Sequence, residues 1–283
     1  MLAKRIPSIL PNLSFEESLE ITKIYSVAGL LPEQTCMITK RPYRAPHHTA
    51  TSASLIGGGK IPKPGEVSLA HYGVLFLDEL PEFNKHTLEV LREPIEDGKI
   101  TISRVNSAIT YPSRFMLVAS MNPCECGYYG SKIKECRCNK KSIQRYIGKI
   151  SGPLLDRIDI QIEVTQTKYS ELDSKEKSEK SYEIRNRINL ARKIQMNRYK
   201  EYNIYSNSEL TSKLINQYCK LNENSKKLLK NAFNKLGLSV RAYERIIKVA
   251  RTIADLECKT NIEEKHIAEA IQYRCLDRKY WKN

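Results

Sequence analysis

Gly73-Val74-Leu75-Phe76-Leu77-Asp78-Glu79 is a continuous apolar run that ends in two adjacent carboxylates. A run of that length, apolar at successive positions, reads as a strand buried on both faces of a parallel sheet. Open α/β sheets bind their ligands beyond the carboxyl ends of such strands. There Asp78 can hold Mg²⁺ through its oxygens, and Glu79 can orient or deprotonate a water. Phe115 to Ala119 is a second apolar run, read as another buried strand, with Asn122 just past its end. If the two strands are parallel neighbours, the Asn122 amide lies beside the carboxylates and can orient the same water or touch a phosphate. The companion element, G-x-x-x-x-G-K-[ST], whose amides and lysine cradle phosphates, does not occur in the 283 residues. Gly59-Lys60, Gly98-Lys99 and Gly148-Lys149 are each followed by isoleucine.

Further organisation follows outward from these strands. Ser14-Phe15-Glu16-Glu17 is a capping box opening an amphipathic helix to about Val27, stopped near Gly29 and Pro32. Residues 40–72, rich in Pro and Gly, read as a long ordered loop or insert. A short helix is expected from about Lys85 to Glu93, and 99–103 with 108–111 alternate like the arms of a hairpin. Gly152 to Asp159 reads as a tight turn, a leucine pair and Arg157, whose planar charge suits phosphoryl oxygens or an ion pair with Asp156 or Asp159. Residues 165–181 are polar and charged, too poor in apolar groups for a core, and read as a linker or an exposed helix start. Beyond them the chain reads as all helical. Ile184, Ile188, Ala191 and Ile194 share one face, Val240, Tyr243, Ile247, Ala250 and Ala254 another, and Thr260 to Glu263 cap a last helix. The expected domains are therefore an α/β part at 1–164, the linker, and a helical part at 182–283.

The formal charge is +15, unevenly spread: residues 1–163 carry 21 Lys and Arg against 17 Asp and Glu, the remainder 26 against 15. Charge alone does not separate a polyanionic partner such as nucleic acid from a lysine-rich solvated surface. No apolar stretch approaches the ~20 residues needed to cross a bilayer. Eight cysteines in 283 residues are too sparse for a disulfide scaffold and fit a reducing, cytoplasmic compartment. Four of them form two C-x-C pairs, Cys124 with Cys126 and Cys136 with Cys138, on one loop after Asn122. Four thiolates so close suggest a closed tetrahedral Zn²⁺ site of structural kind, against reduced thiols or disulfides. The five histidines read as structural or as loop hydrogen-bonding groups, with the side chains of His47 and His48 diverging.

Arg41 to Thr49, Gly57 to His71, Gly73 to Leu80, Ala119 to Cys124, Gly152 to Ile160, Ser239 to Arg245 and Ala250 to Leu256 together resemble the Mg-chelatase-like AAA+ ATPases of the ComM/YifB type. The similarity runs through nearly the whole chain and is weakest at 165–181. It implies an α/β AAA+ core with a helical lid, Walker B carboxylates at Asp78 and Glu79, sensor 1 at Asn122, an arginine finger at Arg157 and sensor 2 at Arg241. ATP and Mg²⁺ are the implied cofactors. It also implies an inserted loop at 51–65 and a hairpin at 100–112 facing a hexamer's channel, with Lys60, Lys63 and Arg104 meeting DNA. Family members are described as DNA-branch-migration motors linked to natural transformation. In that family a Gly-Lys-Thr phosphate loop stands just before the segment that opens here as Met1-Leu2-Ala3, preceded by a Lon-like domain. The expectation is a truncated core, unable to hydrolyse ATP alone. The alternatives are a non-catalytic DNA-binding or regulatory subunit docking on an intact relative, or a metal-chelatase motor subunit.

Overall fold

The computed structural model describes residues 2–59, 61–104, 107–131, 134–164, 179–202 and 204–274, with Arg104 and Ser107 described by backbone alone. Lys60 and most of the expected linker lie outside the described residues. The chain divides into two compact units, Met1–Arg157 and Ile158–Asn283.

The first unit is built on a parallel sheet of three strands in the order β1 (Tyr43–Arg44), β4 (Val74–Leu77), β7 (Met116–Ala119). Central strand β4 is the apolar run read from sequence, and Val74, Leu75 and Leu77 are fully buried. Gly73 is required at its start. A Cβ there would lie 2.1 Å from the Pro42 carbonyl oxygen, which accepts the Val74 amide at 2.8 Å. Strand β7 departs from expectation: it is not buried, and Met116 is 45% exposed. Its one ladder is to β4, and among the described residues no strand covers its other edge.

Before the sheet, the capping box forms as expected. Ser14 Oγ accepts the Glu17 amide at 3.1 Å, the Glu17 carboxylate accepts the Ser14 amide at 3.0 Å, and left-handed Gly29 closes the helix Phe15–Ala28. It follows a single-turn α1 (Ile6–Ile9) and is termed α2. The stretch expected as loop, 40–72, holds more order: β1, α3 (Ser52–Ile56), the antiparallel ribbon β2 (Gly57–Gly58) with β3 (Lys63–Pro64), and α4 (Glu66–Leu69). The expected single helix at 85–93 is broken into α5 (Lys85–Glu89) and α6 (Arg92–Asp97). Pro94 has no amide to donate to the Val90 carbonyl, so the first helix does not run on through it. The hairpin β5 (Lys99–Arg104) with β6 (Ser107–Pro112) packs Ile100, Ile102 and Tyr111 with Ile56 and Ile109, and the Tyr111 hydroxyl donates to the Pro62 carbonyl at 2.8 Å. Insert and hairpin are thus one packed body. Two short helices, α7 (Lys140–Ile147) and α8 (Gly152–Leu155), complete the unit. The expected tight turn at Gly152 is the first residue of α8, capped by Ser151 Oγ on the Leu154 amide at 3.3 Å.

The second unit is helical: α9 (Ser181–Arg198), α10 (Ser212–Tyr218), α11 (Glu223–Leu236), α12 (Val240–Leu256) and α13 (Glu264–Gln272). Its core gathers Leu214, Ile215, Leu229, Ala242, Ile246, Ile247, Ala250 and Ile267. Two sequence expectations are corrected. Val240 is 71% exposed, because it opens α12 ahead of the face that buries Ala242 and Ile246. The last helix starts at Glu264, not at Thr260, since Ile262 is extended in a bridge with Leu221. The Glu263 amide there donates to His266 Nδ1 at 2.9 Å. Among the described residues no helix is long and apolar enough to cross a membrane.

Candidate functional site

The parallel ladder of β4 with β7 pairs Leu77 with Ala119, so the next residues, Asp78 and Ser120, face each other just beyond the strand ends. Two backbone bonds extend the pairing: Ser120 N to the Leu77 carbonyl at 3.0 Å and Leu80 N to the Ser120 carbonyl at 2.9 Å. The Ser120 hydroxyl donates to Asp78 Oδ1, which also accepts the Glu79 amide at 3.1 Å. No described protein group bonds Oδ2. An oxygen-only donor group at an exposed sheet edge fits a hard cation such as Mg²⁺, which keeps several waters of its own. Burial raises the pKa of the nearby Tyr43 phenol, and the Asp78 charge adds to the effect.

Glu79 stands in the left-handed region, with φ 53° and ψ 48°. Few non-glycine residues adopt it, and such strain gathers at functional sites. The turn sends the Glu79 carboxylate to the His48 ring, Nδ1 to Oε2 3.3 Å, leaving the side chain 56% exposed. His47 and His48 do not diverge as read from sequence: their ring centroids are 4.0 Å apart, and His47 Nδ1 meets the Thr49 hydroxyl at 3.0 Å. His71 is structural, as expected, and 1% exposed. Its Nδ1 accepts the Arg114 amide at 3.0 Å and its Nε2 faces Glu20 at 3.0 Å.

Asn122 is exposed, two residues past Ser120. Gly127 folds back so that a Cβ there would lie 4.0 Å from Asn122 Cγ. The four clustered cysteines follow directly. All four sulfurs lie within 4.8 Å of one another, with Cys124 buried and the others half-buried. The amides of Tyr128 and Arg137 draw the Cys126 thiol down to about 6, while, against their backbone hydrogen bonds, burial and the neighbouring sulfurs push Cys136 and Cys138 up.

Arg157 is 8% exposed and turned onto its own unit. Its Nη1 donates to the Pro153 carbonyl at 2.8 Å and its Nη2 pairs with Glu96. In the second unit, Arg241 is exposed in the first turn of α12, whose Ser239 cap accepts the Ala242 amide at 3.1 Å. Lys63 is exposed on β3. Lys60 and the Arg104 side chain lie outside the described residues. The structure thus joins Asp78, Glu79 and Ser120 at one sheet edge and places Asn122 on the loop that leaves it.

Sequence reasoning did not find Ser120, His48 as a partner of Glu79, or Glu96. Ser120 carried a usable signal, since two four-residue strands in register put it opposite Asp78. The other two are loop and helix partners far away in sequence, with no pattern to announce them.

The match to the family model for magnesium chelatase, subunit ChlI, covers residues 1–172, and that for the ChlI C-terminal region covers 178–274. Competence protein ComM of Haemophilus influenzae is 46% identical over 281 residues, which is 98% of this chain and 53% of that protein. The protein YifB of Escherichia coli is 44% identical over 279 residues, 98% of this chain and 54% of YifB. The magnesium-chelatase subunit ChlI of Euglena gracilis is 32% identical over 162 residues, 57% of this chain and 43% of that subunit. The chain spans about half the length of the ComM and YifB relatives it matches. A parallel αβ core, a helical second unit and these matches agree: the chain belongs to the magnesium-chelatase ChlI family, among the relatives of ComM and YifB.

Proposed function

We propose that the chain supplies the magnesium-and-water half of an ATP site in a ComM-like AAA+ machine that remodels DNA. One observation carries the reading: Asp78, bridged by Ser120 and followed by the strained Glu79, stands at the carboxyl edge of two parallel strands, with Asn122 next in line. In this reading Asp78 carries Mg²⁺, Glu79 orients the lytic water and Asn122 senses the γ-phosphate. Arg157 acts on a neighbouring subunit's nucleotide after leaving Glu96, and Arg241 contacts phosphate from the helical lid. The assembly is a cytoplasmic hexamer. Lys60, Lys63 and Arg104, on the packed insert and hairpin, meet DNA phosphates. The domains run 1–164 and 182–283, joined by a linker at 165–181. The name of the Haemophilus relative, a competence protein, accords with a DNA role. The phosphate-cradling pattern G-x-x-x-x-G-K-[ST] does not occur in these 283 residues, so in this reading they do not turn over ATP by themselves.

Two measurements test this. The purified chain is expected to hydrolyse ATP negligibly, with or without Asp78→Asn; clear turnover abolished by that substitution overturns the half-site reading. Its affinity for duplex DNA is expected to fall steeply with salt, and Lys63→Ala to lower the log–log slope by about one. Salt-insensitive binding, or none, removes the DNA role. The inward-turned Arg157 favours one second reading, a non-catalytic subunit that docks on an intact relative. DNA binding by the chain together with unchanged ATPase of an added full-length relative is its signature.

A further inference from the structure

The cysteine loop calls for a role of its own. Cys124 and Cys126 leave the end of β7, and Cys136 and Cys138 lead into the Asn139 cap of α7. The sulfur separations are 3.4 Å for Cys124–Cys126, 3.7 Å for Cys124–Cys136 and 3.6 Å for Cys126–Cys136. Four thiolates at ~2.3 Å from one tetrahedral Zn²⁺ sit about 3.8 Å apart along each edge. A disulfide brings sulfurs to about 2.05 Å, well inside every one of these separations. A two-iron cluster sorts its cysteines into pairs on different irons, whereas here all four sulfurs share one sphere of 4.8 Å. Backbone amides also aim at sulfur: Tyr129 N at Cys124 Sγ, 3.3 Å, and Cys138 N at Cys136 Sγ, 3.4 Å. Such donors suit thiolates, which are the ligand form, better than thiols.

We propose that Cys124, Cys126, Cys136 and Cys138 bind one zinc ion, and that this ion fixes the loop carrying Asn122. The site is closed by four protein ligands, so its role is to hold structure rather than to activate water. It ties the exit of β7 to the entry of α7. Asn122 is therefore clamped on two sides, by the backbone bonds of Ser120 to Leu77 and Leu80 two residues before it and by the metal two residues later. The importance of that clamp to nucleotide chemistry rests on the reading of Asn122 proposed above; the zinc itself does not.

The test needs no nucleotide. Elemental analysis of the full chain, purified under reductant without chelator, is expected to return about one zinc per chain. Cys136→Ser is expected to lose most of it, while Cys36→Ser and Cys258→Ser, both exposed and outside the cluster, keep it. Because a cluster variant can fail to fold, wild-type chain is also titrated with a zinc chelator while amide exchange is followed. The amides of residues 122–127 are expected to exchange about tenfold faster or more once zinc is removed. Zinc far below one per chain, even after refolding with Zn²⁺ and reductant, overturns the site, as does iron with visible absorbance in its place. Bound zinc with unchanged exchange at 122–127 overturns the clamp.

Discussion

Asp255 is the place where one substitution is expected to cost the second unit most. Its carboxylate is fully buried and accepts four bonds: Arg198 Nη1 at 3.0 Å and Nη2 at 2.5 Å, Arg251 Nε at 3.1 Å and Asn207 Nδ2 at 2.9 Å. Asp255→Asn keeps the shape, removes the charge, and turns one acceptor into a donor facing other donors. The two arginines then fare differently. Arg198 keeps a 16% exposed side chain and can turn to water, whereas Arg251 is 1% exposed and stays pinned by the Lys259 and Thr260 carbonyls at 2.6 and 2.8 Å. Removing one partner of a buried ion pair costs about 3–5 kcal/mol, most of it here from the stranded Arg251. For a unit of this size that lowers its melting midpoint by on the order of 12–20 °C. Hydrogen-exchange mass spectrometry during thermal unfolding, read on peptides from α9 and α12, isolates this unit's transition from that of the first. A second comparison sharpens the cause: Arg251→Ala is expected to cost more than Arg198→Ala. A midpoint drop under about 4 °C for Asp255→Asn, or the reverse order of the two arginines, refutes the reasoning.

In the first unit, burial lowers the His71 pKa, against the raising influence of Glu20 and Glu17 and with the lowering influence of Arg114. A depressed folded-state pKa means that the unfolded chain binds the proton first. The His71 contribution is thus complete above the unfolded value of ~6.5 and is lost as pH falls below it, by up to ~1.4 kcal/mol per pH unit. Denaturant midpoints of the first unit between pH 7 and 5 check this, and His71→Gln is expected to flatten the profile; an unchanged slope removes the assignment. At Glu79, glycine accepts the left-handed backbone that alanine does not, so Glu79→Gly is expected to be more stable than Glu79→Ala by about 1 kcal/mol. Equal stabilities of the two variants would mean that the φ of 53° stores no strain.

What was legible in the sequence was whatever a short window encodes. The run 74–77 needed only its own apolar side chains to declare a buried strand, and the box at Ser14 and Glu17 only three residues of spacing. The cysteine cluster was visible because each C-x-C pair is local. Strand β7 shows the limit: Phe115 to Ala119 is as apolar as β4, yet apolarity does not say how many neighbours a strand has, and β7 has one among the described residues. Residues 57–64 escaped for a different reason, since strands of two residues are too short to display a period. Arg157 was found, but its partner Glu96 lies 61 residues away, beyond any reading of adjacent charges.

The geometry at the sheet edge depends on register more than on packing. Asp78 meets Ser120 because Leu77 pairs with Ala119; a slip of one residue would set Ala119 or Met121 there and reverse the faces of β7. A four-residue strand with one exposed edge has little apolar burial to resist that slip. Its two ends supply the resistance. At the start, Arg114 is bound on both backbone groups, its amide to His71 Nδ1 at 3.0 Å and its carbonyl by the Tyr72 amide at 2.6 Å. At the finish, the thiol cluster follows within two residues of Asn122. A protonated His71 loosens the first anchor, and an empty thiol site the second. Acid and zinc chelation should therefore act on the same quantity, the alignment of Ser120 with Asp78, from opposite ends of one strand.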